Sequence, residues 1–406
     1  VGGNDGGASL VKMGEVRAHA ARTIELAASA AAAHAGDATL TLAWAQALQI
    51  RARAARADGK PEDGLKDLLE AQRLIDGQLA QATGDVRRDL AIQRASLQLV
   101  QAQFLDQQSV ASLNQPERAL ALYAEAERAL LTLGRDGEAR VPALLGTLLG
   151  ARAITHARLG QLGPAQRDAE QAWQQRRQAV QAEPFNTALR DGLVTEATNA
   201  AVVLMRADDP ARAVQASQAA WDEVQGLARE NGPQSKWIDA LPRVAQHHGR
   251  ALVLTGHDAD ALPVLERALT FWDRLRQSQQ QPAQSVGQAP RLHAWLSVYQ
   301  AQALAAQGQG ARARSGLRAA IDTLEPLAAQ PGGRDAQLNL AEACLVMARL
   351  EPAQAPLWRE RSRRLFDQAN ARLPLVGDHL RRWHALKSGQ PLAGLDGPTA
   401  ARQPRR

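Results

Sequence analysis

The segment LGQLGPAQRDAEQAW, residues 159–173, joins the end of one helix to the start of the next. Gly160 can adopt the left-handed conformation that closes a helix. Pro164 suits the first turn of the following helix, because its missing N–H would be unpaired there anyway. Ala165, Ala169 and Ala172 then follow at helical spacing and fall on one face. Side chains this small let a neighbouring helix approach closely, so the segment predicts a tightly packed helix pair.

This arrangement occurs six times along the chain. Each copy begins with a turn residue. We call the positions five, nine and twelve residues after it the first, second and third marks, and in most copies they hold small or large apolar side chains. The turn residues are Gly59, Asn114, Gly160, Asp208, Gly256 and Gly308. The first marks are Gly64, Ala119, Ala165, Ala213, Ala261 and Ala313, separated by 55, 46, 48, 48 and 52 residues. Recurrence at these spacings predicts a helical repeat protein without a single compact core.

The spacing of the turn and mark residues resembles the tetratricopeptide repeat (TPR). That family places an alanine five residues after a turn glycine, a large apolar or aromatic residue four further on, and an alanine three after that. Two features depart from its pattern. The period here exceeds the ~34 residues of the standard repeat, and Tyr123 is the only aromatic second mark. The resemblance implies an all-α fold: a TPR-like α-solenoid of antiparallel helix pairs that forms a right-handed superhelix.

These signals divide the chain into three parts. Residues 1–9 are expected to form a flexible linker, residues 10–388 the TPR-like domain, and residues 389–406 a disordered tail. The domain should contain about six to seven helix pairs, followed by a short closing helix over Asp378–Lys387. Because the chain has no initiator Met and no signal peptide, we expect a piece of a longer protein or a processed one.

Composition and charge exclude several classes of function. Charged residues make up 22% of the chain, which argues against wholesale disorder. The net charge is +6, but basic residues alternate with acidic ones along every helix, so a solvated surface is favoured over a nucleic-acid site. No run approaches the ~20 apolar residues of a membrane helix. The single cysteine, Cys344, indicates no disulfide and no metal site, and leaves the compartment open between the cytoplasm and the periplasm of a bacterium.

Nothing in the sequence marks a catalytic or cofactor site. The phosphate-loop, HExxH and GxSxG motifs are all absent. His247 and His248 are adjacent, and adjacent helix residues point about 100° apart, so the two side chains do not face one metal ion from a helix. The sequence therefore predicts a protein that is not an enzyme and that has no metal site and no cofactor.

The TPR resemblance also implies where a partner would bind. In that family the first helix of each pair lines a concave groove, through residues two, six, nine, ten and thirteen positions before the turn. On this chain those positions give the candidate groove residues Arg158, Asn199, Arg206, Arg243, His247, Arg250, Trp295 and Tyr299. Arginine forks and an asparagine favour a carboxylate, and the two aromatic side chains could anchor an apolar group. The alternative is that these are ordinary solvated polar residues beside two half-buried aromatics.

Three functions follow from this interpretation. The first is a non-catalytic protein-interaction scaffold, or a sensor and regulatory arm of a larger bacterial protein, that binds an acidic peptide or partner domain in the groove. The second is self-association into a homo-oligomer, and the third and less favoured is nucleic-acid binding. The composition also resembles the C-terminal TPR regions of bacterial serine/threonine kinases and of winged-helix transcription regulators. No kinase signature and no DNA-reading helix-turn-helix lies in these residues.

Overall fold

The computed structural model describes residues 9–34, 36–106, 111–133, 139–232, 236–277, 289–330 and 333–392. Within these ranges the chain forms sixteen α-helices, one short 3₁₀ turn and no strand, which confirms the expected all-α fold. No helix in this part of the chain is long and apolar enough to cross a bilayer. Residues 1–8 of the expected linker (residues 1–9) and residues 393–406 of the expected tail lie outside the described residues.

The chain divides into two compact units, Val1–Gly192 and Leu193–Arg406. Unit 1 holds a lead-in helix and three helix pairs. Its helices are α1 (Ser9–Ala33), α2 (Ala38–Ala57), α3 (Pro61–Leu79), α4 (Gly84–Leu105), α5 (Pro116–Thr132), α6 (Arg140–Arg158) and α7 (Leu162–Ala182). The two helices of each pair pack together, and α2 also packs on α4 and α4 on α6. First helices of successive pairs therefore lie side by side.

Unit 2 repeats this plan and adds a closing helix. Its helices are α8 (Thr187–Arg206), which begins just before the boundary, α9 (Pro210–Asn231), α10 (Lys236–Leu254), α11 (Asp258–Gln277), α12 (Ala289–Ala306), α13 (Gly310–Ala328), α14 (Arg334–Leu350), α15 (Ala355–Arg372) and α16 (Gly377–Ser388). The pairs α10–α11, α12–α13 and α14–α15 pack internally, while α10 packs on α12 and α12 on α14. Ordered packing continues past α16, since Leu392, assigned above to the tail, is buried in the apolar cluster of unit 2.

The six turn residues all adopt the left-handed conformation. Their φ angles lie between 52° at Asn114 and 81° at Gly256. At five of the six turns, the N–H of the following residue donates to a carbonyl five residues earlier, as His257 does to Leu252 (2.9 Å). This hydrogen bond caps the first helix and reverses the chain. Asn114 and Asp208 can take the place of glycine because short polar side chains tolerate this conformation.

The mark residues form the contact between the two helices of each pair. All eighteen are buried, including Ala165, Ala213, Ala261 and Ala313, which are fully inaccessible. The helices also approach closely at Gly64, where an added Cβ would lie 2.7 Å from the carbonyl oxygen of Ala52. The predicted packing of small residues at helix crossings is therefore confirmed.

The pair α14–α15 keeps the marks but changes the turn. Ser362, Phe366 and Ala369 have the same spacing as the marks and are fully buried. A 3₁₀ turn, Pro352–Gln354, takes the place of the left-handed residue. Ser362 Oγ donates to the carbonyl of Ala341 (2.8 Å), which joins the two helices at the first mark. The altered turn explains why this pair is not among the six copies of the turn-and-mark arrangement found in the sequence.

Candidate functional site

The last helix, α16, lies against the first helices of unit 2. Asp378 in its first turn and Lys387 in its last turn suit the helix dipole, and Gly389 closes it with a φ of 68°. Its N-terminus abuts the end of α8, where a Cβ on Gly377 would lie 2.6 Å from the carbonyl oxygen of Arg206. Side chains of α10 and α14 meet the same helix, and Tyr299 of α12 links those two helices. The preceding helix, α15, also packs against α16. We call this surface, formed by α8, α10, α12 and α14 around α16, the first-helix face.

A chain of hydrogen bonds runs from α16 into this face. Arg250 Nη2 on α10 donates to both carboxylate oxygens of Asp378, at 2.8 and 3.0 Å. Arg250 Nε donates to Tyr299 Oη on α12 (2.9 Å). Tyr299 in turn donates to Glu342 Oε2 on α14 (2.7 Å). The phenol thus bridges the guanidinium group and the second carboxylate.

Glu342 is the second charged centre of this arrangement. Its side chain is fully buried, and Oε1 accepts from Arg382 Nη1 of α16 at 3.2 Å. His379 Nε2, also on α16, lies 3.2 Å from the same oxygen. Asp378 and Arg382 are only 4% and 5% exposed. We call the six residues Arg250, Tyr299, Glu342, Asp378, His379 and Arg382 the ion network.

The electrostatics of the ion network keep its acids charged. Burial by itself would raise the pKa of Asp378, but the adjacent charge of Arg250 holds it well below its usual range. Burial would likewise raise the pKa of Glu342, and the charges of His379 and Arg382 lower it. Burial raises the pKa of Tyr299, so its hydroxyl stays protonated and remains a donor. At neutral pH two guanidinium groups therefore face two carboxylates across a neutral phenol.

Three potential metal ligands converge in this network. One ligand atom from each of Glu342, Asp378 and His379 lies within 4.8 Å of the other two. Both carboxylates, however, already pair with guanidinium groups, from Arg250 and Arg382. A divalent cation would have to displace those positive charges, so the donor set favours an ion-paired contact between helices over a metal centre.

Five of the eight candidate groove residues come together in unit 2. Arg250 and Tyr299 belong to the ion network, with Tyr299 fully buried. Next to them, Trp295 meets Tyr299 edge-on, at 5.6 Å between ring centroids, and meets His247 at 6.1 Å. Burial lowers the pKa of His247 to about 4, helped by the charges of Arg250 and Arg206. Arg206 is thus the fifth member, at the end of α8.

The other three candidate residues take no part in the contacts just described. Arg243 is on α10 two turns before Arg250, and its side chain is exposed. Asn199 Nδ2 donates to Glu196 Oε2 on its own helix (3.2 Å). Arg158 belongs to unit 1, where it pairs with Asp106 at the end of α4. It also donates to the turn residue Asn114 through Nη1 (3.4 Å).

Sequence reasoning missed four members of the site. Glu342 was an unremarked helix residue, and Asp378, His379 and Arg382 were part of a short closing helix. The available signal was the pattern GDHLRRW, residues 377–383, which places an acid and an arginine one helical turn apart on a terminal helix. That pattern shows an acidic and a basic side chain on one face of the helix. It does not show which other helices carry their ion-pair partners.

A buried Ser–His pair elsewhere in unit 2 has no catalytic geometry. Ser217 Oγ lies 3.0 Å from His248 Nδ1, and the Ser217 hydroxyl also donates to the carbonyl of Val214. The two side chains are only 1% and 2% exposed, and Trp221 stacks on the imidazole. A nucleophile needs access to its substrate. This pair is therefore best explained as a buried hydrogen bond within the core, since Ser217 is the second mark residue of its helix pair.

Several solved structures resemble this chain at low sequence identity. No family model and no curated protein sequence matches the chain. Among solved structures, BtubC from P. vanneervenii is 18% identical, with 79% of this chain and 93% of that chain covered and a TM-score of 0.35. A tetratricopeptide repeat protein from Parabacteroides merdae is 13% identical, with 84% and 98% covered and a TM-score of 0.40. Nro1, described as a nuclear import adaptor, is 12% identical, with 92% and 98% covered and a TM-score of 0.35. The repeats of this chain are TPR-like, as its own turn and mark residues indicate.

Proposed function

We propose that this chain is a non-catalytic protein-interaction scaffold and that its partner binds at the first-helix face of unit 2. The observation that carries the proposal is that three first helices, α8, α10 and α14, jointly hold one other helix, α16. Tyr299 of α12 joins α10 to α14 beneath it. Stacked repeats place equivalent positions in a row, and such rows are how helical repeat proteins build extended binding surfaces. A surface already complementary to one helix suits recognition of a peptide.

The part of this face that α16 leaves accessible indicates the chemistry of the partner. Arg243 is exposed, and Arg206, His247 and Trp295 are partly exposed. Guanidinium groups there can bind a carboxylate bidentately, and the indole supplies a flat apolar contact. We therefore expect an acidic peptide segment with an aromatic or aliphatic residue close to its carboxylates.

The paired state of the arginines argues against nucleic acid as the ligand. Phosphate binding requires basic groups that are free to neutralise it. Many arginines of this chain instead pair with an acid on a neighbouring helix. Such pairs include Arg51 with Asp67 (2.7 Å), Arg94 with Asp76 (2.7 Å) and Arg312 with Glu266 (3.1 Å). Self-association remains the second candidate function, and light scattering of the purified chain over a range of concentrations tests it.

Site-specific photo-crosslinking tests the proposed surface. A photoreactive residue in place of Arg243 should crosslink a partner in extracts of the producing cells. The matched control is the same residue in place of Arg229, which is exposed on the second helix α9. Arg243→Glu combined with Trp295→Ala should reduce capture of that partner, and Arg229→Glu should not. Equal crosslinking from both positions, or unchanged capture by the double variant, would place the binding surface elsewhere.

A further inference from the structure

The charges of α16 match those of the first-helix face. Residues 378 and 382 are one helical turn apart, so they project from the same side of α16. The face presents a base opposite the acid and an acid opposite the base, and it adds a third pair at the turn after α8. The pairs are Asp378 with Arg250, Arg382 with Glu342, and Arg381 with Asp208 (2.9 Å).

Apolar side chains of α16 complete the match. Ala385 is buried, and Leu380 and Trp383 pack partly buried against the apolar cluster of unit 2. In α16, Asp378 is followed two, four, five and seven residues later by Leu380, Arg382, Trp383 and Ala385. Such spacing is typical of an amphipathic helix that lies in a groove.

The seat of α16 differs from the core contacts between paired helices. Leu373 and Pro374, in the connection that leads to α16, are exposed, while the next residue, Leu375, is buried in the apolar cluster. The residues that α16 covers include the charged Arg250 and Glu342, and water can solvate these groups when α16 leaves. Buried ion pairs add little net stability over the same ions in water. Release of α16 should therefore cost less than opening a pair such as α14–α15, whose marks are entirely apolar or hydrogen-bonded.

Building on the proposed function, we propose that the first-helix face is the docking site for an amphipathic helix of the partner protein that carries this same pattern, and that α16 occupies the site as an internal competitor. The partner helix places a carboxylate on Arg250 and a guanidinium group on Glu342, and sets a large apolar side chain where Trp383 lies. Only molecules in which α16 has left the face can bind the partner. The apparent affinity is therefore the intrinsic affinity multiplied by the fraction of such molecules. The face therefore selects helices that match its charges better than α16 does.

The test uses the full chain and a defined probe. The probe is a fluorescent synthetic peptide with the sequence of residues 375–390. The opened variant is the full chain with Asp378→Ala and Arg382→Ala, which removes two of the ion pairs that hold α16. We expect the peptide to bind the opened variant about ten-fold or more tightly than it binds the wild type. A peptide with the same two alanines should not bind, and Arg250→Ala in the opened variant should abolish binding of the native peptide.

Two measurements guard against an unfolded variant. Cys344 is fully buried among α13–α15, so its resistance to thiol reagents reports that this core is intact. In the wild type, hydrogen exchange should show α16 amides exchanging faster when excess peptide is present, with α14 amides unchanged. If α16 exchanges only together with α14 and excess peptide has no effect, the proposal is overturned.

Two further outcomes would also overturn it. If the opened variant keeps Cys344 protected but binds the peptide no better than the wild type, the face does not accept an external helix. If the chain forms a dimer by exchanging α16 between copies, light scattering will show it and the occupant is a second copy of this chain. Neither result affects crosslinking at position 243, so failure of this proposal is distinguishable from failure of the scaffold function.

Discussion

Gly377 lies directly against the carbonyl oxygen of Arg206. A Cβ built on Gly377 would be 2.6 Å from that oxygen, and the residue has a φ of +58°. The start of α16 therefore touches the end of α8 backbone to backbone, with no space for a side chain. Seating α16 depends on a glycine at this one point as well as on the ion network.

Replacing Gly377 with alanine should weaken the seat of α16. The left-handed φ costs an alanine about 1–2 kcal/mol, and the clash with the Arg206 carbonyl adds to that cost. Gly389→Ala is the matched control, because Gly389 has a φ of +68° with no heavy atom within 4 Å of the added Cβ. Hydrogen exchange of α16 and thermal unfolding should show the larger loss for Gly377→Ala. Equal losses would mean that the close approach does not exist in solution.

Replacing Ala261 with arginine should destabilise unit 2 strongly. Ala261 is a first mark and fully inaccessible, so the substitution overpacks a helix crossing and buries a charge, at a cost of about 3 kcal/mol or more. Ala259→Arg on the same helix is the control, because Ala259 is exposed and should tolerate arginine. Chemical denaturation of both variants compares the costs. An unchanged unfolding midpoint for Ala261→Arg would show that the repeat register is wrong.

Removing the hydroxyl of Tyr299 should break the bridge across the ion network. Tyr299→Phe leaves Arg250 Nε and Glu342 Oε2 without the hydrogen bonds they now share with the phenol. A buried group left unsatisfied costs about 1–3 kcal/mol. A double-mutant cycle with Glu342→Gln measures the coupling, since that change removes the charge that the hydroxyl faces. Strictly additive losses in unfolding free energy would show that the bridge contributes nothing.

Unit 2 should lose stability in two steps as the pH falls. Burial lowers the pKa of His248 to about 4 from 6.5, so the folded state favours the neutral imidazole. The resulting stability is complete above pH ~6.5 and is lost as the pH falls towards 4, up to about 3 kcal/mol for this group. The pKa values of Asp378 and Glu342 are also lowered, so their contribution disappears only below the ordinary carboxyl range.

The first of these steps can be assigned with a variant. Between pH 7 and 5 the thermal unfolding midpoint of His248→Gln should fall less steeply than that of the wild type. Histidine in the unfolded chain takes up a proton at pH ~6.5, whereas glutamine takes up none. A parallel curve for variant and wild type would exclude His248 as the titrating group. His247→Gln should reduce the slope in the same way, since the pKa of His247 is also lowered to about 4.

Cys344 should react slowly with thiol reagents in the native protein. Burial raises the pKa of its thiol to about 12, and the side chain is fully inaccessible. The thiolate is the reactive form, so labelling requires the surrounding helices to open. The labelling rate at pH 8 should therefore rise in proportion to denaturant-induced opening. Fast labelling without denaturant would contradict the packing of α14.

Much of the fold could be predicted because its determinants are local. A left-handed residue, a helix start and three buried marks fall within thirteen residues, so one segment such as Gly256–Ala268 defines a helix pair. The helix ends follow from the same signals. The turn before α15 could not be predicted in this way, because its 3₁₀ segment Pro352–Gln354 shifts the marks relative to the preceding helix.

Less of the site could be predicted because its contacts are distant in sequence. The groove positions of the TPR family, counted back from each turn residue, identified Arg250 and Tyr299, and both lie on the first-helix face. Their partners are chosen by tertiary packing, and Arg250 meets Asp378 across 128 residues. Charge reversal of Arg250 should consequently do more than block a ligand, because it would bury a carboxylate beside Asp378. Arg243, which is exposed, is the appropriate position for a binding variant.

The long separation between Arg250 and Asp378 also has a consequence for biosynthesis. A ribosome releases α10, α12 and α14 before it has made α16, so Arg250 and Glu342 emerge while their counter-ions do not yet exist. Domains fold progressively as they are synthesised, and during that interval these charged groups must remain in water. The repeats of unit 2 can stack early, but their charges become buried only when residues 378–382 have been translated. Burial of Arg250 and Glu342 in the ion network therefore follows the synthesis of α16.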